Sequence, residues 1–179
     1  VDREVPMAPL RWSVAHLNDP SEATLKRMTE LGVGWTVQDA MYFGGEDLVR
    51  RQGAEGARRI PPVVTGDRLG VVIGGGTDAH RVASYNPFTS LQWFLDGKTV
   101  AGTPIRGPEE TPDRLLALKF YTLGSAWFSF DEDVRGSLEV GKLADLAVLS
   151  QDYLAVPLDE VGNIESVLTL VGGGVVYAP

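Results

Sequence analysis

The first two thirds of the sequence alternate between strand-like and helix-like segments, and this alternation constrains the fold more than any other feature. The strongest strand signal spans residues 69–77, where an apolar run leads into three consecutive glycines. Shorter strand signals cover residues 11–17 and 34–40, and helical patterns separate or follow them. Because strands joined through helices usually pair in parallel, we expect an α/β fold with a parallel sheet.

Two helices are predicted from their start signals. Asp19 followed by Pro20 is typical of a helix N-cap and first turn, and Gly32 marks the end of that helix. Thr111-Pro112 opens a second helix, which we expect to reach Leu123.

The rest of the chain is less helical in pattern. Residues 81–110 are predicted to be a long irregular stretch. After Asp133 short β segments take over, and Gly172-Gly173-Gly174 is typical of a hairpin turn between the last two. These β segments are predicted at residues 138–140, 145–149, 167–171 and 175–177.

Composition excludes several classes of function. The chain has 24 acidic and 16 basic residues, a net charge of −8, so a basic nucleic-acid-binding surface is not expected. There are no cysteines and two histidines, which leaves histidine, aspartate and glutamate as possible metal ligands. No apolar run approaches the roughly 18 residues of a membrane helix. Without a signal-peptide pattern, we expect a cytoplasmic protein.

His16 and Asp78 are the candidate chemical groups. Each follows a predicted strand at its carboxyl end, the edge where catalytic groups collect in α/β barrels. Imidazole and carboxylate together suit a first-row metal ion, and a carboxylate beside such an ion can take a proton from water. The structural alternative is a hydrogen-bonded histidine and an aspartate that caps a turn. His80 is either a substrate contact or a partly exposed loop residue.

The segment from Gly136 to Lys142 matches most of a phosphate-binding loop. Its glycines and lysine have the required spacing, but Leu143 stands where that loop needs serine or threonine. Lys142 also leads into a predicted strand and not into a helix. Nucleotide binding is therefore disfavoured, and a β-turn at residues 140–142 is expected.

Several motifs occur together in an order that is known from a family of enzymes. They are Arg11-x-x-Val14-Ala15-His16, residues 32–38 ending in Gln38, Gly76-Thr77-Asp78-Ala79, and residues 136–146 with Gly141-Lys142-x-Ala144-Asp145-Leu146 as the most specific part. Together with the closing hairpin they span nearly the whole chain. The sequence thus resembles the C-terminal part of the amidohydrolase superfamily, in its amidohydrolase-3 branch, the group similar to N-substituted formamide deformylases.

This resemblance implies a metal-dependent hydrolase that acts on a small amide-type molecule and cleaves a non-peptide C–N bond through a metal-activated water. The implied fold is a (β/α)8 barrel with a small β-sandwich. Residues 1–133 would supply the last βα units of the barrel, and residues 134–179 would supply strands of the sandwich.

The resemblance also assigns roles to individual residues. It implies that His16 is a metal ligand and that Asp78 is both a ligand and the base that shuttles the proton. Gln38 and His80 would contact the substrate. The implied cofactor is a divalent metal, most commonly zinc.

The chain departs from the family in ways that bear on activity. The metal ligands of earlier barrel strands have no counterpart here, and a full barrel needs about 250 residues, whereas this chain has 179. Ala15 replaces the glutamate that usually precedes the histidine. Because two ligands do not close a metal site, we expect a piece that is inactive alone.

An incomplete barrel would leave strand edges unpaired. We therefore expect self-association or pairing with a missing N-terminal part. The alternative from a different class is a non-catalytic α/β module used for binding or as a scaffold.

Overall fold

The computed structural model describes residues 3–79 and 83–179. Its strands form a parallel sheet in the order β1-β2-β3 and an antiparallel sheet in the order β4-β5-β6. The strands are β1 (Ser13–Ala15), β2 (Gly34–Gln38), β3 (Ile73–Gly76), β4 (Leu146–Leu149), β5 (Ser166–Val171) and β6 (Gly174–Tyr177). The α-helices are α1 (Glu22–Leu31), α2 (Ala40–Ala57), α3 (Val63–Arg68), α4 (Pro87–Asp96), α5 (Arg114–Lys119) and α6 (Ser125–Phe128).

The parallel sheet confirms the α/β prediction. Helix α1 connects β1 to β2, and helices α2 and α3 connect β2 to β3. The register pairs Ser13 with Gly34 and Trp35 with Ile73. Along β2 the buried Trp35 and Val37 alternate with the partly exposed Thr36 and Gln38, because successive side chains point to opposite faces.

The helix boundaries differ from the predicted ones. Helix α1 is capped by Ser21, whose hydroxyl accepts a hydrogen bond from the amide of Thr24 at 3.1 Å. The predicted start at residues 19–20 was therefore wrong by two residues. Helix α5 is capped by Asp113 and not by Thr111. A π-helical turn at Phe120–Gly124 continues α5 into α6.

The prediction that residues 81–110 are irregular was wrong. Helix α4 occupies ten of them. Asn86 caps it by accepting a hydrogen bond from the amide of Phe88 at 2.9 Å, Pro87 begins it, and Gly97 ends it at a φ of 60°. The Asn-Pro start and the closing glycine were readable signals.

The hydrophobic core lies between the parallel sheet and the helices that cover it. Trp35, Trp93, Phe94 and Phe120 are among its largest fully buried side chains. The core continues into the segment between β4 and β5, which contains the 3-10 helix Leu158–Asn163. That segment contributes four buried side chains, Tyr153, Val156, Val161 and Ile164.

The antiparallel sheet is largely exposed. The predicted hairpin is present, with Gly172 and Gly173 at φ values of 57° and 82° between β5 and β6. The strand predicted at residues 138–140 was wrong, because these residues form an exposed turn segment. In the part of the chain that the structure describes, no helix is long and apolar enough to cross a membrane.

Candidate functional site

Three of the predicted site residues lie at one edge of the parallel sheet. His16 directly follows β1, Gln38 is the last residue of β2, and Asp78 lies two residues beyond β3. Since β2 pairs in parallel with both neighbours, the carboxyl ends of the three strands meet at this edge. It is the edge where α/β barrels carry their catalytic groups.

His16 and Asp78 stand on either side of Gln38. Neighbouring strands are about 4.8 Å apart, so the backbones of the two outer strands are about 10 Å apart. His16 and Asp78 both have a left-handed backbone, with φ values of 58° and 53°. This conformation is uncommon outside glycine, and such residues cluster at functional sites. Both residues are exposed.

Gln38 and His80 were the predicted substrate contacts. Gln38 is half-buried, and alternation along β2 puts it on the face opposite to Trp35 and Val37. His80 lies outside the described residues.

The glycine run of β3 is explained by close packing. A Cβ on Gly74 would lie 2.7 Å from the ring of Phe128, and one on Gly75 would lie 2.5 Å from the ring of Tyr121. The hydroxyl of Ser125 also donates to the carbonyl of Gly75 at 3.2 Å. The run therefore lets the π-helical turn and α6 approach the strand, as close backbone approach predicts.

Asp39 is a site residue that the sequence analysis missed. It is fully buried, and neither carboxylate oxygen has a hydrogen-bond partner among the described residues. Burial raises the pKa of Asp39, and the nearby charge of Asp78 raises it further, while the Ser90 hydroxyl opposes the shift. The available signal was its place on the buried face, two residues after Val37.

The Asp39 carboxyl lies in a polar pocket of the core. The hydroxyls of Ser90 and Tyr121 are also buried without a hydrogen-bond partner among the described residues. Burial raises the pKa of Tyr121 well above its usual range, and the charge of Asp39 adds to this. The buried polar groups of Asp39, Ser90 and Tyr121 thus lie close together, next to the end of β2.

The nucleotide-binding alternative around Lys142 is wrong. Gly141 lies in a turn and does not open a helix, and the next strand begins at Leu146. The Lys142 ammonium donates to the carbonyl of Glu132 at 2.6 Å and to the hydroxyl of Ser137 at 2.7 Å. The Lys142 side chain therefore links its turn to the segment that contains Glu132 and Ser137, and it donates its hydrogen bonds to protein acceptors.

The structure contains a cavity of about 730 Å³. Its lining comes mainly from α4, the π-helical turn, α6, β4 and the loop between α6 and β4, and is mainly apolar. Arg135, at its rim, is within salt-bridge distance of Asp131 and Asp145. None of the described site residues His16, Gln38 and Asp78 lines this cavity.

Known proteins resemble this chain in sequence and in fold. An N-substituted formamide deformylase from Arthrobacter pascens is 27% identical over 154 residues, which cover 85% of this chain and 28% of that protein. A metal-dependent hydrolase from Pyrococcus horikoshii OT3 superposes with a TM-score of 0.70 at 22% identity, covering 82% of this chain and 30% of the other. An adenosine deaminase from Xanthomonas campestris with bound zinc gives a TM-score of 0.66 at 21% identity. The match covers 93% of this chain and 37% of the deaminase.

These matches cover most of this chain but only a part of each longer protein. The chain spans less than a third of the length of the deformylase. The structural matches show that the mixed α/β arrangement of this chain is present in both solved structures, as 30% of the first and 37% of the second. A model of the amidohydrolase family matches residues 2–177, nearly the whole chain, and the chain therefore belongs to the amidohydrolase family.

Proposed function

We propose that this chain carries part of the active site of a metal-dependent hydrolase that cleaves a non-peptide C–N bond in a small amide-type molecule. The observation that supports this most is the pair His16 and Asp78, both with a left-handed backbone, at the carboxyl edge of one parallel sheet. The similarity to a formamide deformylase supports the amide-type substrate. The similarity to a zinc-containing deaminase supports zinc as the metal.

The proposed fold of the whole enzyme is an eight-stranded barrel with a small β-sandwich. Residues 1–133 are its last βα units, and residues 134–179 are sandwich strands. In the described residues β1 and β3 each pair with β2 alone, so both outer edges of the parallel sheet are free. Free edges of this kind would pair with further barrel strands or with a second copy of the chain.

The side chains of His16 and Asp78 are of the types that bind zinc, but two ligands do not complete a zinc site. Imidazole and carboxylate are both zinc ligands. Within residues 3–79 and 83–179, however, no group of three histidine, aspartate or glutamate side chains could hold a metal ion. His16 and Asp78 would therefore need further ligands from outside the described residues, and the chain alone is inactive in this proposal.

The residues at the edge have distinct roles in the proposed reaction. A bound metal would supply Lewis-acid activation of the substrate carbonyl and of water. Asp78 takes the proton from the attacking water and passes it to the leaving nitrogen. Gln38 offers an amide that can donate to and accept from the substrate. His80 is the second substrate contact.

Metal binding to the 179-residue chain tests this proposal. Zinc content after equilibrium dialysis would be measured for the parent chain and for His16→Asn, Asp78→Asn and His80→Asn. We expect weak binding that the first two substitutions abolish and the third preserves. The two histidines thus form a matched pair, since only one is a proposed ligand.

Three outcomes would each contradict a part of the proposal. Binding that survives both His16→Asn and Asp78→Asn would mean that the metal lies elsewhere. No binding at millimolar zinc would favour the non-catalytic binding module. Hydrolysis of small N-substituted formamides by the verified 179-residue chain would overturn the prediction that it is inactive alone.

A further inference from the structure

Strand β1 leads directly into His16, yet few contacts of its own side chains hold the strand in place. It has three residues, all of them exposed, and in the described residues it pairs with β2 alone. A strand without a buried side chain gains no stabilisation from the core. Besides the pairing with β2, the contacts that hold the strand in place lie at its two ends.

Arg11 anchors the end that enters β1. Its guanidinium makes a two-pronged ion pair with Glu132, at 2.7 and 2.6 Å, and donates to the carbonyl of Trp127 at 2.7 Å. It also lies 4.9 Å from the ring centre of Trp127 and 4.4 Å from that of Phe130. The hydrogen bonds from Arg11 lower the pKa of Glu132. Such a planar fork is a contact that lysine cannot reproduce.

The backbone around this contact is unusual on both sides. Arg11 has a φ of 49° and Phe130 a φ of 61°, both in the left-handed region. Non-glycine residues hold this conformation only when surrounding contacts compensate for its cost. Directly after Arg11, the carbonyl of Trp12 accepts a hydrogen bond from the amide of Gly34 at 2.8 Å, which begins the pairing with β2.

A second anchor holds the end that leaves β1. The indole Nε1 of the fully buried Trp35 donates to the carbonyl of Leu17 at 3.1 Å. Leu17 also packs against the core. His16 therefore lies between a fixed point at Arg11 and a fixed point at Leu17.

The Arg11 anchor is itself tied to the C-terminal part of the chain. The carbonyl of Glu132 accepts a hydrogen bond from Lys142, which also bonds Ser137. The glycine-lysine motif of residues 141–142 thus supports the loop that holds Arg11. This links the motif to the opposite end of the chain.

We propose that Arg11 is a positioning residue for His16, and that its fork with Glu132 and Trp127 fixes the register of β1 so that His16 stands at the carboxyl edge beside Gln38. The inference rests on the proposed function for the metal-binding role of His16. The anchoring of β1 can be tested without that role.

Hydrogen exchange tests the anchor. Two protons report on the two ends of β1: the Gly34 amide, bonded to Trp12, and the Trp35 indole proton, bonded to Leu17. In Arg11→Lys we expect the Gly34 amide to exchange about tenfold faster or more, because the strand end opens locally. In Glu132→Gln, which keeps the Trp127 contact, the same amide should accelerate less.

A matched control tests whether replacing any arginine by lysine, and not only Arg11, changes the exchange rates. Arg27→Lys makes the same substitution at the exposed Arg27–Glu30 pair on α1 and should leave both protons unchanged. Amides of β5 should also be unchanged in every variant. Unaltered Gly34 exchange in both Arg11→Lys and Glu132→Gln would overturn the proposal.

A zinc titration followed through the His16 imidazole signal distinguishes this inference from the proposed function. If zinc shifts the His16 signal in the parent chain, Arg11→Lys should need several-fold more zinc for the same shift. An equal zinc requirement in both would overturn the positioning role. No response of His16 in the parent chain would contradict the proposed ligand, while the exchange data would still decide whether Arg11 anchors the strand.

Discussion

The two sheets of this protein are held by different forces. In the parallel sheet, Trp35, Val37 and Ile73 are each less than 5% exposed, and helices cover the face that carries them. In the antiparallel sheet, all four residues of β6 are exposed, and Val175 and Val176 each expose more than 60% of their surface. Burial of apolar side chains therefore organises the first sheet, whereas backbone pairing and the glycine hairpin organise the second.

This difference predicts where a substitution will destabilise the chain. The candidate site lies at the carboxyl ends of the parallel strands, and the hydrophobic core packs against that sheet. Strand β1 is the exception within that sheet, since it resembles the exposed strands and depends on Arg11 and Trp35 for its position. The exposed apolar residues of β6 are in turn consistent with the proposed sandwich, in which further chain would cover them.

The contact of β3 with Gly124, the last residue of the π-helical turn before α6, should be the most sensitive point of the comparison. Gly124 has helical backbone, but a Cβ on it would lie 1.9 Å from the carbonyl oxygen of Ile73. Because that oxygen belongs to a buried strand, Gly124→Ala should lower the free energy of unfolding by about 3 kcal/mol or more. Chemical denaturation followed by tryptophan fluorescence would measure it.

Gly76 provides the control for this effect. It lies in the same strand, β3, and a Cβ on it would meet nothing within 4 Å. Gly76→Ala should therefore leave the unfolding midpoint within experimental error. Equal stability of the two variants would contradict the close packing of the π-helical turn on the parallel sheet.

A pair of identical substitutions compares the two sheets directly. Val37 on β2 is 4% exposed, and Val175 on β6 is 62% exposed. Val37→Ala removes buried methyl groups and should cost about 2 kcal/mol of unfolding free energy. Val175→Ala should cost about 0.5 kcal/mol or less. Similar losses in both would mean that β6 is buried in solution, as it would be in a self-associated form, and sedimentation velocity would detect that form.

Sequence patterns predicted the parts of the fold that depend on local signals. The parallel sheet followed from strands that alternate with helices, and the last hairpin followed from Gly172-Gly173. Helix α4 was missed although Asn86 and Pro87 mark its start, because the residues before it carry no regular pattern. Residues 138–140 were predicted as a strand because they contain two apolar residues, yet this segment is an exposed turn.

In the candidate site, too, the sequence predicted some residues and missed others. His16, Gln38 and Asp78 could be named from strand ends and from a family pattern. The Arg11–Glu132 pair joins residues 121 positions apart, a contact that no local pattern encodes. Asp39 was missed because its place two residues after Val37 indicates burial, whereas no local pattern predicts a carboxylate that has no hydrogen-bond partner among the described residues.

Asp39 is a buried polar residue that directly follows β2, and its replacement should have a smaller effect than Gly124→Ala or Val37→Ala. Burial raises its pKa in the folded chain above that in the unfolded chain. The folded state therefore binds more protons between these two pKa values, and the free energy of unfolding decreases as the pH rises through this range. Asparagine does not ionise, so Asp39→Asn should stabilise the protein by about 1 kcal/mol at pH 7 and by nothing below about pH 4.

Urea denaturation of the parent chain and of Asp39→Asn at a series of pH values would measure this difference. Asp19→Asn, at an exposed aspartate, serves as the control and should change stability by less than about 0.5 kcal/mol throughout. A stabilisation by Asp39→Asn that is the same at both ends of the pH range would mean that asparagine simply packs better. Destabilisation at pH 7 would mean that the carboxylate has a partner in solution, since a paired buried charge is lost at a cost. Only a gain that appears with rising pH fits a buried carboxyl held behind the sheet without a partner.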